Sequence, residues 1–119
     1  MQTILRYRPE TEFYTDEGCH IVELLNAEGD PGCSIARARV QPGVTTRLHR
    51  LTGTIERYVI LEGEGRVEVD GLPPAEVRPL DVVLIPAGAA QRIANTGTSD
   101  LVFLCVCTPR FRVASYGAA

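Results

Sequence analysis

The chain has 119 residues, enough for one hydrophobic core and one domain, 1–119. Its formal net charge of -3 gives no basic surface for nucleic acid, and its basic side chains are all Arg, a compositional bias from which no phosphate site follows. No stretch approaches the ~20 apolar residues of a membrane span, and the start Met1–Arg8 lacks the apolar run of a secretory signal, so no membrane partner and a cytoplasmic location are expected.

In chain order, residues 1–30 have weak helix signals and are expected to form an N-terminal arm that covers or extends the rest. Within them Val22–Ala27 suits one or two helical turns or a strand equally, and His20, with no partner at ligand spacing, is expected at the surface. From residue 33 onward strands alternate with turns. Ser34–Val40 alternates polar and apolar and meets the turn signal Pro42-Gly43. Glu56–Leu61 is rich in β-branched and aromatic residues and ends at Gly63-Glu64-Gly65, a hairpin signal. Arg66–Val69 alternates and stops at Asp70-Gly71. Asp81–Ile85 is a nearly continuous apolar strand closed by Pro86. Leu101–Cys107 is the last strong strand, stopped by Pro109, and the final ten residues are expected to fray. Short strands at regular spacing predict an all-β sandwich or barrel.

Cys19, Cys33, Cys105 and Cys107 contain no C-x-x-C pair, so neither a zinc ribbon nor a thioredoxin-type motif is indicated. Cys105 and Cys107 share a strand face and are expected to be small core fillers.

Two segments between residues 42 and 95 carry a specific pattern. Gly43 is followed after five residues by His49, then by Leu51, after four more by Glu56 and after six more by Gly63. Leu80 is followed after five residues by Pro86, then by Gly88, after two by Gln91 and after three by Asn95. In order and separation these landmarks resemble the paired motifs of the cupin superfamily. Leu51 stands where that family has its second His, Leu80 where it has a Gly, and Gln91 where it has its last His. The resemblance implies a cupin-type jelly-roll β-barrel with a short N-terminal arm, often dimeric.

The resemblance also implies a metal centre, which in the family uses three His and one Glu. Only His49 and Glu56 carry over. Gln91 offers an amide oxygen as a weak third donor, and Leu51 offers nothing. Such a set would suit Mn²⁺, Fe²⁺, Ni²⁺ or Zn²⁺ at reduced affinity, or no metal at all. Strand parity points Arg47, Leu51, Tyr58, Ile93, Phe103 and Cys105 toward the same interior, with Arg47 a candidate fork for a substrate carboxylate. Three functions stay open: a metal-dependent enzyme such as a dioxygenase or isomerase, a metal-free acid/base enzyme of cyclase or epimerase type, and a non-catalytic small-molecule binder. The strand Arg57–Leu61 is apolar on both faces, which predicts cover on its outside by a second sheet, the arm or a partner chain, and a homodimer is expected.

Overall fold

The computed structural model describes residues 3–119, in which two antiparallel sheets face each other. The strands are β1 (Phe13–Tyr14), β2 (His20–Leu25), β3 (Ser34–Val40), β4 (His49–Leu51), β5 (Ile55–Glu62), β6 (Gly65–Val69), β7 (Ala75–Val77), β8 (Val82–Ile85), β9 (Gln91–Asn95), β10 (Leu101–Thr108) and β11 (Tyr116–Ala118). One sheet runs β1-β2-β3-β10-β5-β8 and the other β11-β4-β9-β6-β7, the crossed order of a jelly roll. No helix among the described residues is long and apolar enough to cross a membrane.

The core follows from strand alternation. On β5 Glu56, Tyr58 and Ile60 point inward, and on β9 Gln91, Ile93 and Asn95 do. Ile60, Ile85, Ile93, Leu101 and Phe103 are essentially solvent-free and pack with Val67, Val69 and Val77. Asn95 ties this half together, donating its side-chain amide to the carbonyls of Val40 and Ser99, both at 2.8 Å.

The segment 22–27, open between helix and strand, is strand through Leu25, because β2 pairs with β3 from His20 to Leu25. The arm extends the first sheet through β1. Arg39 fixes it there, with Nη2 at 2.6 Å and Nε at 3.1 Å from the two Glu12 carboxylate oxygens, and a further bond to Asp100 at 3.2 Å. His20, expected at the surface, is half-buried with its ring 5.0 Å from that of Tyr14.

The C-terminus corrects the expectation of fraying. Tyr116, Gly117 and Ala118 pair with Leu51, Arg50 and His49, so the tail supplies the edge strand beside β4. Residues of low β-propensity such as Gly117 and Ala118 hide this strand from pattern reading.

The motif positions sit at backbone bends. Gly63 has φ +84, and a Cβ there would lie 2.6 Å from the Asp100 carbonyl oxygen. Leu80, where the family has Gly, has φ +73 and is 80% exposed. Its N–H donates to the Ile60 carbonyl at 2.7 Å, which commits the backbone to that geometry. A left-handed non-Gly residue costs about 1–2 kcal/mol, partly offset by the greater unfolded-state freedom of Gly. Leu80→Gly is therefore expected to stabilise the protein by about 0.5–1 kcal/mol. Urea denaturation checks this, and a lowered midpoint would contradict it.

Candidate functional site

A partly enclosed cavity of about 130 Å³ opens between the sheets, at the end away from the Ile93 and Leu101 half of the core. Its walls come from β2, β3, β10 and β5 on one side and from β4 on the other. The arm residues Phe13, Thr15, Glu17 and Cys19 close over it. Leu51, Tyr58, Phe103 and Cys105, expected to line the pocket, do so, as do His49 and Glu56.

Arg47 and Ile93 do not line it, for different reasons. Thr46 is held to Ile93 by both its backbone N–H (2.8 Å) and its Oγ1 (3.0 Å), which turns Thr46 inward. Arg47 and Leu48 then both face outward, and the alternation that pointed Arg47 inward starts only at His49. Ile93 does face the interior but is packed in the core below the cavity.

His49 is 3% exposed and stacks on Tyr116, with ring centroids 5.1 Å apart. Its Nδ1 lies 2.8 Å from the Arg47 carbonyl oxygen. A carbonyl only accepts, so Nδ1 carries the proton and the neutral ring has its lone pair on Nε2. Among the described residues Nε2 has no hydrogen-bond partner.

Glu56 is 7% exposed, and its two oxygens have separate partners. Gln91 Nε2 donates to Oε1 at 2.8 Å, and the Cys107 thiol lies 3.6 Å from Oε2. Gln91, fully buried, accepts the Tyr58 hydroxyl on its own Oε1. The amide oxygen expected to serve as a third metal donor is thus engaged by Tyr58, and Gln91 does not line the cavity. It sits behind Glu56 and orients it.

Sequence reasoning missed Glu17. Its backbone carbonyl accepts the Arg47 N–H at 2.8 Å, which lays the arm across the cavity. Its carboxylate lies 3.8 Å from His49 Nδ1. Nothing at sequence level marks it, since the contact joins an irregular arm to β4 across 32 positions (49 minus 17). Tyr116 was missed for the same reason.

Burial raises the pKa of Glu17 and of Glu56, and the Glu17 charge adds to the rise at Glu56. Burial also pushes the Cys19 and Cys107 thiols up to about 12 and raises Cys105 and Tyr58. The three thiols and Tyr58 stay protonated near neutrality, so the thiols serve as walls and weak donors rather than as nucleophiles.

A resident metal was tested against the donor set. Only His49 and Glu56 of the four family ligand positions hold donors that face the cavity, and no three His, Cys, Asp or Glu side chains among the described residues are grouped to hold an ion. Leu51 makes an apolar wall at the position of the second His. The side chains present do not fit a tightly held transition metal.

The profile of the cupin domain family matches residues 36–107. Among curated proteins, the oxalate-binding protein of Thermotoga maritima is 38% identical over 71 residues, 60% of this chain and 58% of that protein. An uncharacterised protein of Methanocaldococcus jannaschii is 35% identical over 101 residues, covering 83% of this chain and 80% of its own. Among solved structures, a predicted oxalate decarboxylase from Thermotoga maritima aligns with a TM-score of 0.76 at 27% identity, over 90% of this chain and 99% of that one.

The raised pKa of Glu56 makes a stability prediction. In the window above the ordinary carboxylate value of 4.5 the folded state retains a proton that the unfolded chain has released. Stability contributed by this group is full below that value and falls as pH rises through the folded pKa. Glu56→Gln removes the penalty and keeps an acceptor for Gln91. The variant is expected to be more stable than the parent at pH 7, with the gain shrinking toward pH 4. Urea midpoints across that range check this, and a loss of stability at pH 7 would contradict it.

Proposed function

The chain belongs to the cupin family, and from that premise we propose that it binds a small organic molecule inside the barrel. On this reading His49 and Glu56 act on that molecule as an acid/base pair without a resident metal. The observation that carries the proposal is the unpartnered Nε2 of His49, a buried side chain that lines one cavity together with Glu56. Gln91 and Cys107 hold Glu56 in place, and its burial favours the protonated acid that can give a proton. His49, with Nδ1–H committed to Arg47, can take one. Such a pair suits proton relocation in an isomerisation, epimerisation or cyclisation.

A cavity of about 130 Å³ suits a molecule of few heavy atoms. An apolar cavity of about 150 Å³ admits benzene, which sets the scale. The Thermotoga maritima relative is an oxalate-binding protein, which supports a small ligand, and the metal-dependent dioxygenase or isomerase reading lacks the donors described above. The same geometry also serves a binder with no reaction.

The proposal includes a homodimer over a single domain, 1–119. Val82 and Leu84 on β8 are 62% and 61% exposed, and Leu61 on the neighbouring β5 is 39% exposed. A contiguous apolar face of this kind is usually covered by a partner.

Native mass spectrometry of the tag-free protein tests these points together. The expected spectrum shows a dimer of the 13.0 kDa chain, no stoichiometric metal after exposure to micromolar Mn²⁺, Fe²⁺, Ni²⁺ or Zn²⁺, and uptake of small organic probes that His49→Ala weakens. One metal ion per chain, lost in His49→Ala, would overturn the metal-free reading. A monomer at micromolar concentration would overturn the dimer.

A further inference from the structure

We infer that the cavity is built for a small organic cation, a primary ammonium ion carried on a compact apolar group, held by Glu17, Glu56 and His49. The inference rests on the ligand-binding reading above and names its ligand class.

Every lining side chain that carries a formal charge is acidic. Glu17 and Glu56 reach the interior, Glu23 stands at the exposed rim, and no Arg lines the cavity. Arg47 and Arg50, the basic groups nearest in sequence to His49, both face outward. A dianion such as oxalate would meet two acidic side chains and no cationic one, so nothing on the lining would offset its charge even with both carboxyl groups protonated.

The hydrogen-bonding capacity points the same way. The other buried or half-buried polar side chains of the lining have partners within the protein. Thr46 Oγ1 accepts from Ile93 N–H, Ser34 Oγ from Phe111 N–H, and Asn26 Nδ2 donates to the Phe111 carbonyl. Tyr58 donates to Gln91, and Thr15 Oγ1 donates to the Cys19 carbonyl at 3.1 Å. The strongest groups left free are acceptors, the lone pair on His49 Nε2 and unshared lone pairs on Glu17 and Glu56, beside the hydroxyl protons that Thr46 and Ser34 keep. His49 supplies the independent sign of a ligand, being 3% exposed, on the cavity wall, and without a partner for Nε2. An –NH₃⁺ group offers three donors to three acceptors, and its charge favours the ionised carboxylates of Glu17 and Glu56 that burial disfavours without it.

The rest of the cavity recognises the apolar part. Phe13, Tyr58, Phe103 and Phe111 line it together with Leu51 and Ile21. Tyr58 and Phe103 pack with ring centroids 4.6 Å apart. Aromatic faces attract a cation held within about 6 Å. The arm takes part in recognition, because Glu17 reaches the cavity only while Arg47 N–H holds its backbone.

Isothermal titration of the full chain at pH 7 with two series of matched apolar groups tests this: benzylamine, benzyl alcohol and benzoate, and isobutylamine, isobutanol and isobutyrate. In at least one series the amine is expected to bind at least tenfold more tightly than its alcohol, with the carboxylate weakest. Glu17→Gln is expected to weaken the amine about tenfold and leave the alcohol unchanged. If in neither series the amine binds more tightly than both its alcohol and its carboxylate, the cation inference is overturned while ligand binding stands. If carboxylates bind only with added Mn²⁺, the cation inference and the metal-free reading both fall. If no probe binds, the binding reading falls and the inference with it. Glu17→Gln weakening amine and alcohol alike would also overturn the role assigned to Glu17.

Discussion

A single chain of buried polar contacts, from Tyr58 through Gln91 and Glu56 to Cys107, joins the two sheets at the cavity. Tyr58 and Glu56 lie on β5 and Cys107 on β10, whereas Gln91 belongs to β9 in the facing sheet. Buried polar groups are costly unless each finds a partner. Gln91 answers this for both neighbours at once, as acceptor for Tyr58 and donor for Glu56. An imidazole at this position could not both accept from the hydroxyl and donate to the carboxylate unless the two sat on opposite ring nitrogens. The amide does so from one end of the side chain, and it leaves Glu56 oriented and His49 without a competing partner.

Around that clamp the site is completed by the ends of the chain. The arm brings Glu17 over the opening, anchored by the Arg47–Glu17 backbone bond and by the Arg39–Glu12 ion pairs farther out. The tail brings Tyr116 against the His49 ring through β11. Both contacts are non-local, and both act on one imidazole. The barrel therefore supplies a rigid frame, while termini that pattern reading treats as peripheral set the electrostatics and the packing of the central side chain.

The fold was legible because alternation and turn chemistry agree along most of the chain. Ser34–Val40 forms a strand over its expected span, and the strands expected at 56–61, 66–69, 81–85 and 101–107 form within a residue or so at each end. The family motif was legible for a physical reason as well: Gly43, Gly63 and Gly88 all take positive φ, so their spacing marks bends in the barrel. The site was only half legible. His49, Leu51, Glu56, Tyr58, Phe103 and Cys105 line the cavity, since parity holds on regular strands. Arg47 escaped because parity was extended past the start of β4. Glu17 and Tyr116 escaped because no local periodicity encodes a contact between a loop and a distant strand. The partnering of Gln91 by Tyr58 is a matter of side-chain geometry that spacing does not carry.

On this reading the cavity presents acceptors, with the His49 lone pair on Nε2. Long-range ¹H–¹⁵N correlation of the His49 ring at a pH where it is neutral tests this most directly. A protonated Nδ1 and an unprotonated Nε2 are expected, with the Nε2 shift moving when a ligand binds. A neutral ring protonated on Nε2 would contradict it.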